Sequence, residues 1–248
     1  MTRSPSAWRA LPAFLALPAL LAANAPAGAD AVIRQAVAML ASERAGLTAF
    51  HQHYSYVEYG PGHHETIVEE SGRLRQDGRP IAVRLYSRVT NGKSASAADL
   101  AAAQSQLDKQ LPAEDYRLPV TLDALSEYRF APSASCGGCA AGAISIDFTS
   151  LVRDADHGDG TAIIDSVTHH IERIAFRPSV LPAHVDDATI VMTFERVLPD
   201  LWDLVDTESH YSGHVLFLHG GADITVTDGA YRRFKTLAQA RAALADGI

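Results

Sequence analysis

What most constrains this chain is a run of short segments in which apolar and polar residues alternate, separated by turn residues at hairpin spacing. Ile81, Val83 and Leu85 alternate with Ala82, Arg84 and Tyr86, between Asp77-Gly78 and Asn91-Gly92. Ile144, Ile146 and Phe148 alternate with Ser145 and Asp147, and Ile190, Met192 and Phe194 with Val191, Thr193 and Glu195. Side chains alternate across a strand, so each segment reads as a strand with one apolar face. Asp-Gly and Asn-Gly supply the left-handed residues of tight hairpin turns. Tyr54–Tyr59 and Thr66–Arg75 read as earlier strands, broken by Gly60-Pro61-Gly62. Thr161–Asp165 and His170–Phe176 form a further hairpin, and from about residue 120 to 235 the pattern is almost wholly strand. Such spacing predicts an antiparallel sheet and disfavours βαβ units.

Helical periodicity interrupts the strands at three places. Residues 31–50 carry Ile33, Val37, Leu40, Leu47 and Phe50 at helical spacing, with Asp30 placed to cap the start. Residues 97–111 return to that period after Ser96, which with Asp99 resembles a capping box, and Pro112 stops the helix. Thr236 to Gln239 opens a C-terminal helix, and Tyr231–Phe234 before it reads as a short edge strand whose arginines discourage edge pairing. The fold class is therefore α+β: a curved antiparallel sheet with N-terminal, inserted and C-terminal helices. No repeat or linker divides residues 26–248, which read as one domain.

The N-terminus has the form of an export signal. Arg3 and Arg9 precede an apolar stretch from Ala10 to Ala23, and Ala23-Asn24-Ala25 matches the small-residue rule for cleavage, as do cuts after Ala27 or Ala29. Residues 1–25 are expected to be a signal peptide, and the periplasm is the expected location. The formal charge of the whole chain is −8, and cleavage removes two arginines. An acidic chain does not suit nucleic acid or an anionic membrane surface, which need clustered Lys and Arg. No later stretch is long and apolar enough to predict stable membrane insertion.

Cys136 and Cys139 are the two cysteines. Export favours a disulfide, and the glycine-rich flanks favour a short structural bridge. A redox CxxC pair normally opens a helix, whereas strand-like sequence follows here. The 11 histidines include His51/His53, His63-His64, His169-His170 and the group His210, His214 and His219. None forms H-E-x-x-H. They read mainly as surface and turn residues, with His210 and His214 on one strand face as the leading metal candidates, and no cofactor is expected. The run Asp154 to Gly160 misses the EF-hand pattern, because Gly158 falls on its fifth position and Asp159 on its sixth. No G-x-S-x-G, P-loop or dinucleotide fingerprint is present. Glu69-Glu70 and Asp186-Asp187 are sequence neighbours, and so point to opposite strand faces. These features do not predict an enzyme.

Three segments together resemble the outer-membrane lipoprotein-sorting protein superfamily, the LolA-like fold. They are Asp77-Gly78 through Tyr86 to Lys93, Tyr128 to Phe130, and Gly160 to Asp165 with Thr168 to Ala175. The resemblance implies an incomplete barrel with an apolar concave side and helices acting as a lid. It implies a periplasmic carrier or chaperone for a hydrophobic ligand or a lipoprotein acyl chain. Ile144, Ile146, Phe148, Ile190, Met192, Phe194, Val215 and Phe217 are the expected ligand-binding residues. An exported metal-binding protein, or a ligand-free interaction or sensor module with an envelope protein partner, are the alternatives.

Overall fold

The computed structural model describes residues 28–111, 117–134, 136, 139–215 and 218–248. The expected signal peptide and Pro112 lie outside the described residues. Along the chain come α1 (Ala29–Glu43), β1 (Leu47–Gly60), β2 (His63–Gln76), β3 (Arg79–Thr90), β4 (Lys93–Ser94) and α2 (Ala97–Gln110). A short 3-10 helix (Ala124–Glu127) precedes β5 (Tyr128–Pro132), β6 (Ala143–Ser150), β7 (Gly158–Asp165) and β8 (Ile171–Pro178). The chain continues through β9 (Val185–Leu198), β10 (Leu201–Val215), β11 (Leu218–Phe234) and α3 (Leu237–Asp246). The strands form one sheet in the order β4-β3-β2-β1-β11-β10-β9-β8-β7-β6-β5. β11 closes back on β1 antiparallel, Tyr54 opposite Val226. Among the described residues no helix is long and apolar enough to cross a membrane.

The hairpin turns follow the local chemistry. Asp77 and Gly78 have φ of 52° and 80°, and Asn91 and Gly92 have 51° and 75°. Positive φ at both central residues twists the turn to match its strands. Bulges at Glu70/Ser71 and Leu74/Arg75 bend β2 against β3. In a flat sheet β3 and β9 would lie about 24 Å apart at the usual strand spacing. Arg88 of β3 and Phe194 of β9 nevertheless line the same cavity. The sheet therefore curls, and it has a concave and a convex face.

α1 occupies half of the concave face. Its stripe of Val32, Ile33, Ala36, Val37 and Leu40 is buried against Ile146, Phe148, Ala162, Ile164, Ile171, Ile174, Phe176, Ile190 and Phe194. Each such side chain contributes about 1.5–3 kcal/mol when fully buried. The helix begins after Gly28, with Asp30 in its first turn and not at the cap, where its charge still suits the positive helix end. It stops at Glu43, seven residues before the expected end at 50. Gly46, at φ 93°, turns the chain. Its amide donates to Asp77 Oδ1 at 2.7 Å. Leu47 to Phe50 then pair with β2, leaving Ala49 and Phe50 buried. Sheet pairing overrides the helical spacing of Leu47 and Phe50.

Two other helices complete the frame. α2 starts with the expected capping box, Ser96 and Asp99 bonding reciprocally. Its Gln104 accepts from the Leu85 amide at 2.7 Å and donates to the Val83 carbonyl at 3.0 Å. One side chain thus satisfies backbone groups that the short β4 leaves open on β3. α3 starts at Thr236, whose hydroxyl accepts from the Gln239 amide, and packs Ala240 and Leu244 on Ala49 and Leu74. Tyr231–Phe234 is not a separate edge strand. It ends the long, central β11, and Leu47 pairs with Phe234. Arg233 donates to the carbonyl oxygens of Glu43, Ala45 and Asp200, so this arginine ties strand to helix end.

Cys136 and Cys139 are bonded, with Cα atoms 5.5 Å apart. They sit in the loop between β5 and β6 and open no helix. The Asp154–Gly160 run is also structural. Asp154 Oδ1 accepts from the amides of Asp156 and His157 at 3.0 and 2.9 Å. The buried His157 ring bridges Asp154 and Glu127 at 2.7 and 2.9 Å. Burial works against its charge, yet the hydrogen bonds of the two carboxylates prevail and raise its pKa.

Gly160 stands where β7 meets β8. A Cβ there would lie 2.1 Å from the Ala175 carbonyl oxygen and 2.7 Å from the Phe176 Cα. Backbone has little room to give, and overpacking costs about 1–3 kcal/mol or more. Gly160→Ala is expected to destabilise the fold by at least ~2 kcal/mol in urea unfolding. Parent-like stability would show that the two strands are not in close register there.

Candidate functional site

The other half of the concave face is open. Between the sheet, α2 and residues 118–121 lies a cavity of about 580 Å³, within the range of small-molecule sites. The β1–β2 register sets its floor: Phe50 opposite Arg73, Gln52 opposite Ser71, and Tyr54 opposite Glu69. β11 adds Val226, β10 Leu204, and β9 Met192 and Phe194. α2 contributes Ala103, Gln106 and Leu107 from above, and Leu111, Leu118 and Val120 close the side. The wall mixes these apolar side chains with polar ones, and Arg44, Arg73, Arg75 and Arg88 line it too.

Those arginines belong partly to a buried charge cluster. Asp203 and Asp228 each have side chains only 2% exposed. Asp203 accepts from Arg44 Nη2, from Arg75 Nη1 at 3.3 Å and from the Leu204 amide at 2.8 Å. Asp228 accepts from Gln52 Nε2 at 2.8 Å, and Arg75 Nη2 lies 3.9 Å away. Arg75 also sits over the Phe50 ring, 4.3 Å from its centroid. Burial alone would lower the Arg75 pKa, but the Asp203 and Asp228 carboxylates outweigh it and hold the guanidinium charged. Asp228 shows the opposite balance: burial pushes its carboxyl up to about 6 against the pull of Arg75 and Gln52. Nearer α2, Arg88 pairs with Glu69 at 3.1 Å.

The expected ligand-binding residues divide between floor and core. Met192 and Phe194 line the cavity. Ile146, Phe148 and Ile190 are almost wholly buried beneath α1, and Ile144 packs beside them. The Val215 side chain and Phe217 lie outside the described residues. Reading the sequence did not single out the arginines, Tyr54, Ile67 or Leu107. The signal for β2 was present in Ser71, Arg73 and Arg75 on alternate positions. It points to a site only once that face is known to be concave.

The histidines are spread over several sites. His53 Nδ1 lies 2.7 Å and His51 Nε2 3.6 Å from Glu70, while the His51 ring stacks on Tyr86. Glu69 and Glu70 thus serve opposite faces, one in the cavity and one with these histidines. His210 pairs with Asp223 at 2.6 Å, and His214 with Asp186. Four residues apart on a strand, His210 and His214 stand about 13 Å from one another, too far to share an ion. His170 bonds Glu43 at 3.0 Å and stacks on Trp202, fixing the end of α1. Glu58, His63 and Glu65 bring three potential ligand atoms within 4.8 Å of one another. That set was not among the metal candidates read from the sequence.

No family model matches the chain, and no curated protein matches it. Among solved structures it is similar to an outer membrane lipoprotein-sorting protein domain from Vibrio parahaemolyticus. Identity is 10%, coverage 86% of this chain and 99% of that one, and the TM-score 0.42. It is similar to a LolA superfamily protein from Nitrosomonas europaea at 6% identity, with coverage of 86% and 96% and a TM-score of 0.35. A DUF1329 family protein from Desulfovibrio piger gives 10%, 86%, 96% and 0.43. The likeness is one of distant layout and assigns no role to any residue.

The raised Asp228 pKa has a definite sign. A carboxyl shifted above its ordinary 3.8 favours the fold when protonated. That contribution is complete below about pH 4 and is lost as pH rises through 6. Asp228→Asn stays neutral throughout. It is expected to exceed the parent in stability by about 2–3 kcal/mol at pH 8 and to match it near pH 4, measured by denaturant titration. A destabilised Asn variant at pH 8 would mean that the charge on Asp228 supports the cluster.

Proposed function

We propose that this chain is a non-enzymatic carrier or chaperone of the bacterial envelope, exported by its N-terminal segment, that holds an apolar ligand in the concave cavity. The observation that carries this reading is the half-filled concave face. α1 buries its stripe on β5 to β9, while about 580 Å³ beside it is enclosed by sheet, α2 and residues 118–121. Residues contributed by α2 and β9 to β11 give a tail about 0.8 kcal/mol per buried CH₂. Met192 and Phe194 are retained as ligand-contacting residues, and Ile144, Ile146, Phe148 and Ile190 support the wall next to them. A lipoprotein acyl chain and a free lipid are both suitable cargo for such a space.

Filling the cavity tests this. Val226 lines it and is half-buried, so Val226→Trp places a large ring in the hollow. The expected result is a loss of at least about tenfold in affinity for a dodecyl ligand by isothermal titration, with the fold retained by circular dichroism. Unchanged affinity would remove the cavity from the reading.

A second reading, an exported metal-binding protein, draws on Glu58, His63 and Glu65. Glu58 and Glu65 face each other directly across β1 and β2, an arrangement that is unfavourable without a cation. His63 Nε2 is 3.6 Å from Glu58. Zinc titration of the parent and of Glu65→Gln decides it. Stoichiometric binding that the substitution weakens about tenfold or more supports the reading, and absence of binding ends it.

A further inference from the structure

His157 holds both of its ring nitrogens against carboxylates. Nδ1 lies 2.7 Å from Asp154 Oδ1, and Nε2 lies 2.9 Å from Glu127 Oε2. An ionised carboxylate only accepts hydrogen bonds, and a neutral imidazole has a single N–H to donate. Both contacts are hydrogen bonds at once only when the ring is the doubly protonated imidazolium. The carboxylates stay ionised. Bonds from Arg117 and His157 hold Glu127 below its ordinary range, and the bond from His157 does the same for Asp154. The His157 side chain is only 6% exposed, so solvent replaces a lost contact poorly. The other charged and titratable groups around the ring leave this balance in place. On its own loop Arg153 turns to Asp159 at 2.9 Å. The Tyr128 ring is 6.0 Å away; its hydroxyl donates to the Arg117 carbonyl and is pushed up to about 12 by burial. Arg117 lies 3.7 Å from Asp123 on its other side. From the chain after β8, the Ser179 amide donates to the His157 carbonyl at 2.6 Å.

The bridged groups position Arg117, the residue before the side wall of the cavity. Its amide donates to the Asp156 carbonyl at 2.8 Å, on the loop that His157 ties down. Its Nε donates at 2.6 Å to Glu127 Oε2, the same oxygen that His157 contacts. Leu118 and Val120 follow, and both line the cavity. A ring that loses one proton keeps one N–H. Donation to Glu127 then unties Asp154 and the loop beneath the Arg117 amide. Donation to Asp154 leaves Glu127 facing a ring lone pair. Either tautomer removes a tie from the wall.

Building on the carrier reading, we propose that His157 is a proton-operated clasp: its imidazolium fastens residues 117–121 as the side wall of the cavity, and loss of one proton loosens that wall and weakens ligand retention. The direction follows from linkage. Burial opposes the charge, but the bonds to Glu127 and Asp154 outweigh it and raise the ring above its ordinary 6.5. The clasp is therefore complete below about pH 6.5 and is lost as pH rises through the raised value.

Hydrogen exchange of the peptide covering 117–121 tests the clasp, with the parent and His157→Gln compared at the same pH. Intrinsic exchange rates and the titration of Asp228 are then common to both. At pH 6 the parent is expected to exchange about tenfold or more slowly, the scale of a charge-assisted hydrogen bond, and at pH 9 the two are expected to match. Asp154→Asn keeps an oxygen for the Asp156 and His157 amides but removes one charge. The midpoint of the pH response is expected to move down by about one pH unit in this variant. Nitrogen-15 spectra of the parent ring need no substitution, and both ring nitrogens are expected to be protonated at pH 6. Dodecanol carries no charge across this range. The parent is expected to bind it at least about threefold more tightly at pH 6 than at pH 9, and His157→Gln to bind it equally at both. A ring with one bare nitrogen at pH 6 overturns the clasp. So does a protection difference that is the same at both pH values, or an unmoved midpoint in Asp154→Asn, because the histidine would then act by packing alone. A pH-dependent wall with pH-independent dodecanol affinity overturns its control over the ligand. Failure of dodecanol to bind at either pH brings down the carrier reading, and the exchange data, which need no ligand, tell that failure from failure of the clasp.

Discussion

Asp203, a carboxylate with almost no access to solvent, determines how the two halves of this molecule meet. Breaking a buried ion pair by removing one partner costs about 3–5 kcal/mol, so its partners are not interchangeable with solvent. One of them, Arg44, is the residue immediately after α1. The other, Arg75, belongs to β2 on the far side of β1 and β11. Asp203 itself lies in β10, so one side chain joins the helix end to strands separated by two others in the sheet. Around it Glu43 bonds His170 and the Trp202 amide, and Arg233 takes the carbonyls of Glu43 and Ala45. The C-terminal end of α1 is thereby fixed at the middle of the curled sheet.

That anchoring divides the concave face. α1 covers the strands from β5 to β9, whose inward residues are almost all aliphatic or aromatic. The strands beyond it keep an inward face of alternating aromatic, polar and cationic residues, Phe50, Gln52, Tyr54, Ser71, Arg73 and Arg75. The chemistry of the two halves matches their covers. A helix with a continuous apolar stripe fills one half, and a helix that contributes Ala103, Gln106 and Leu107 spans the other. α2 is held by Gln104 on the exposed edge of β3, an attachment to backbone that leaves the space beneath it unfilled.

Local chemistry made the turns and caps legible in the sequence. Asp77-Gly78, Asn91-Gly92, Ser96 with Asp99, and Thr236 with Gln239 adopt the conformations their side chains favour. The layout, an open antiparallel sheet with N-terminal, inserted and C-terminal helices, was readable from strand alternation and helix period. The end of α1 was not, because Leu47 and Phe50 keep helical spacing while Gly46 and two partner strands redirect them. The cavity was harder still. Alternation shows that Arg73 and Leu74 face opposite ways, but not which way is inward. β2 buries Leu74 beneath α3 on the convex side and turns its arginines toward the hollow, the reverse of an ordinary half-buried strand. The number of histidines likewise carries no information about their partners, and here several different carboxylates engage them.

The arginines also explain how a hollow of this size persists in a folded chain. An apolar cavity that stays dry costs about 24 cal/mol per Å³. Here the hollow opens to solvent, and Gln52, Glu69, Ser71, Arg73, Arg75 and Arg88 line it beside Leu107, Met192 and Val226, so it is not a sealed, greasy void and does not carry that cost.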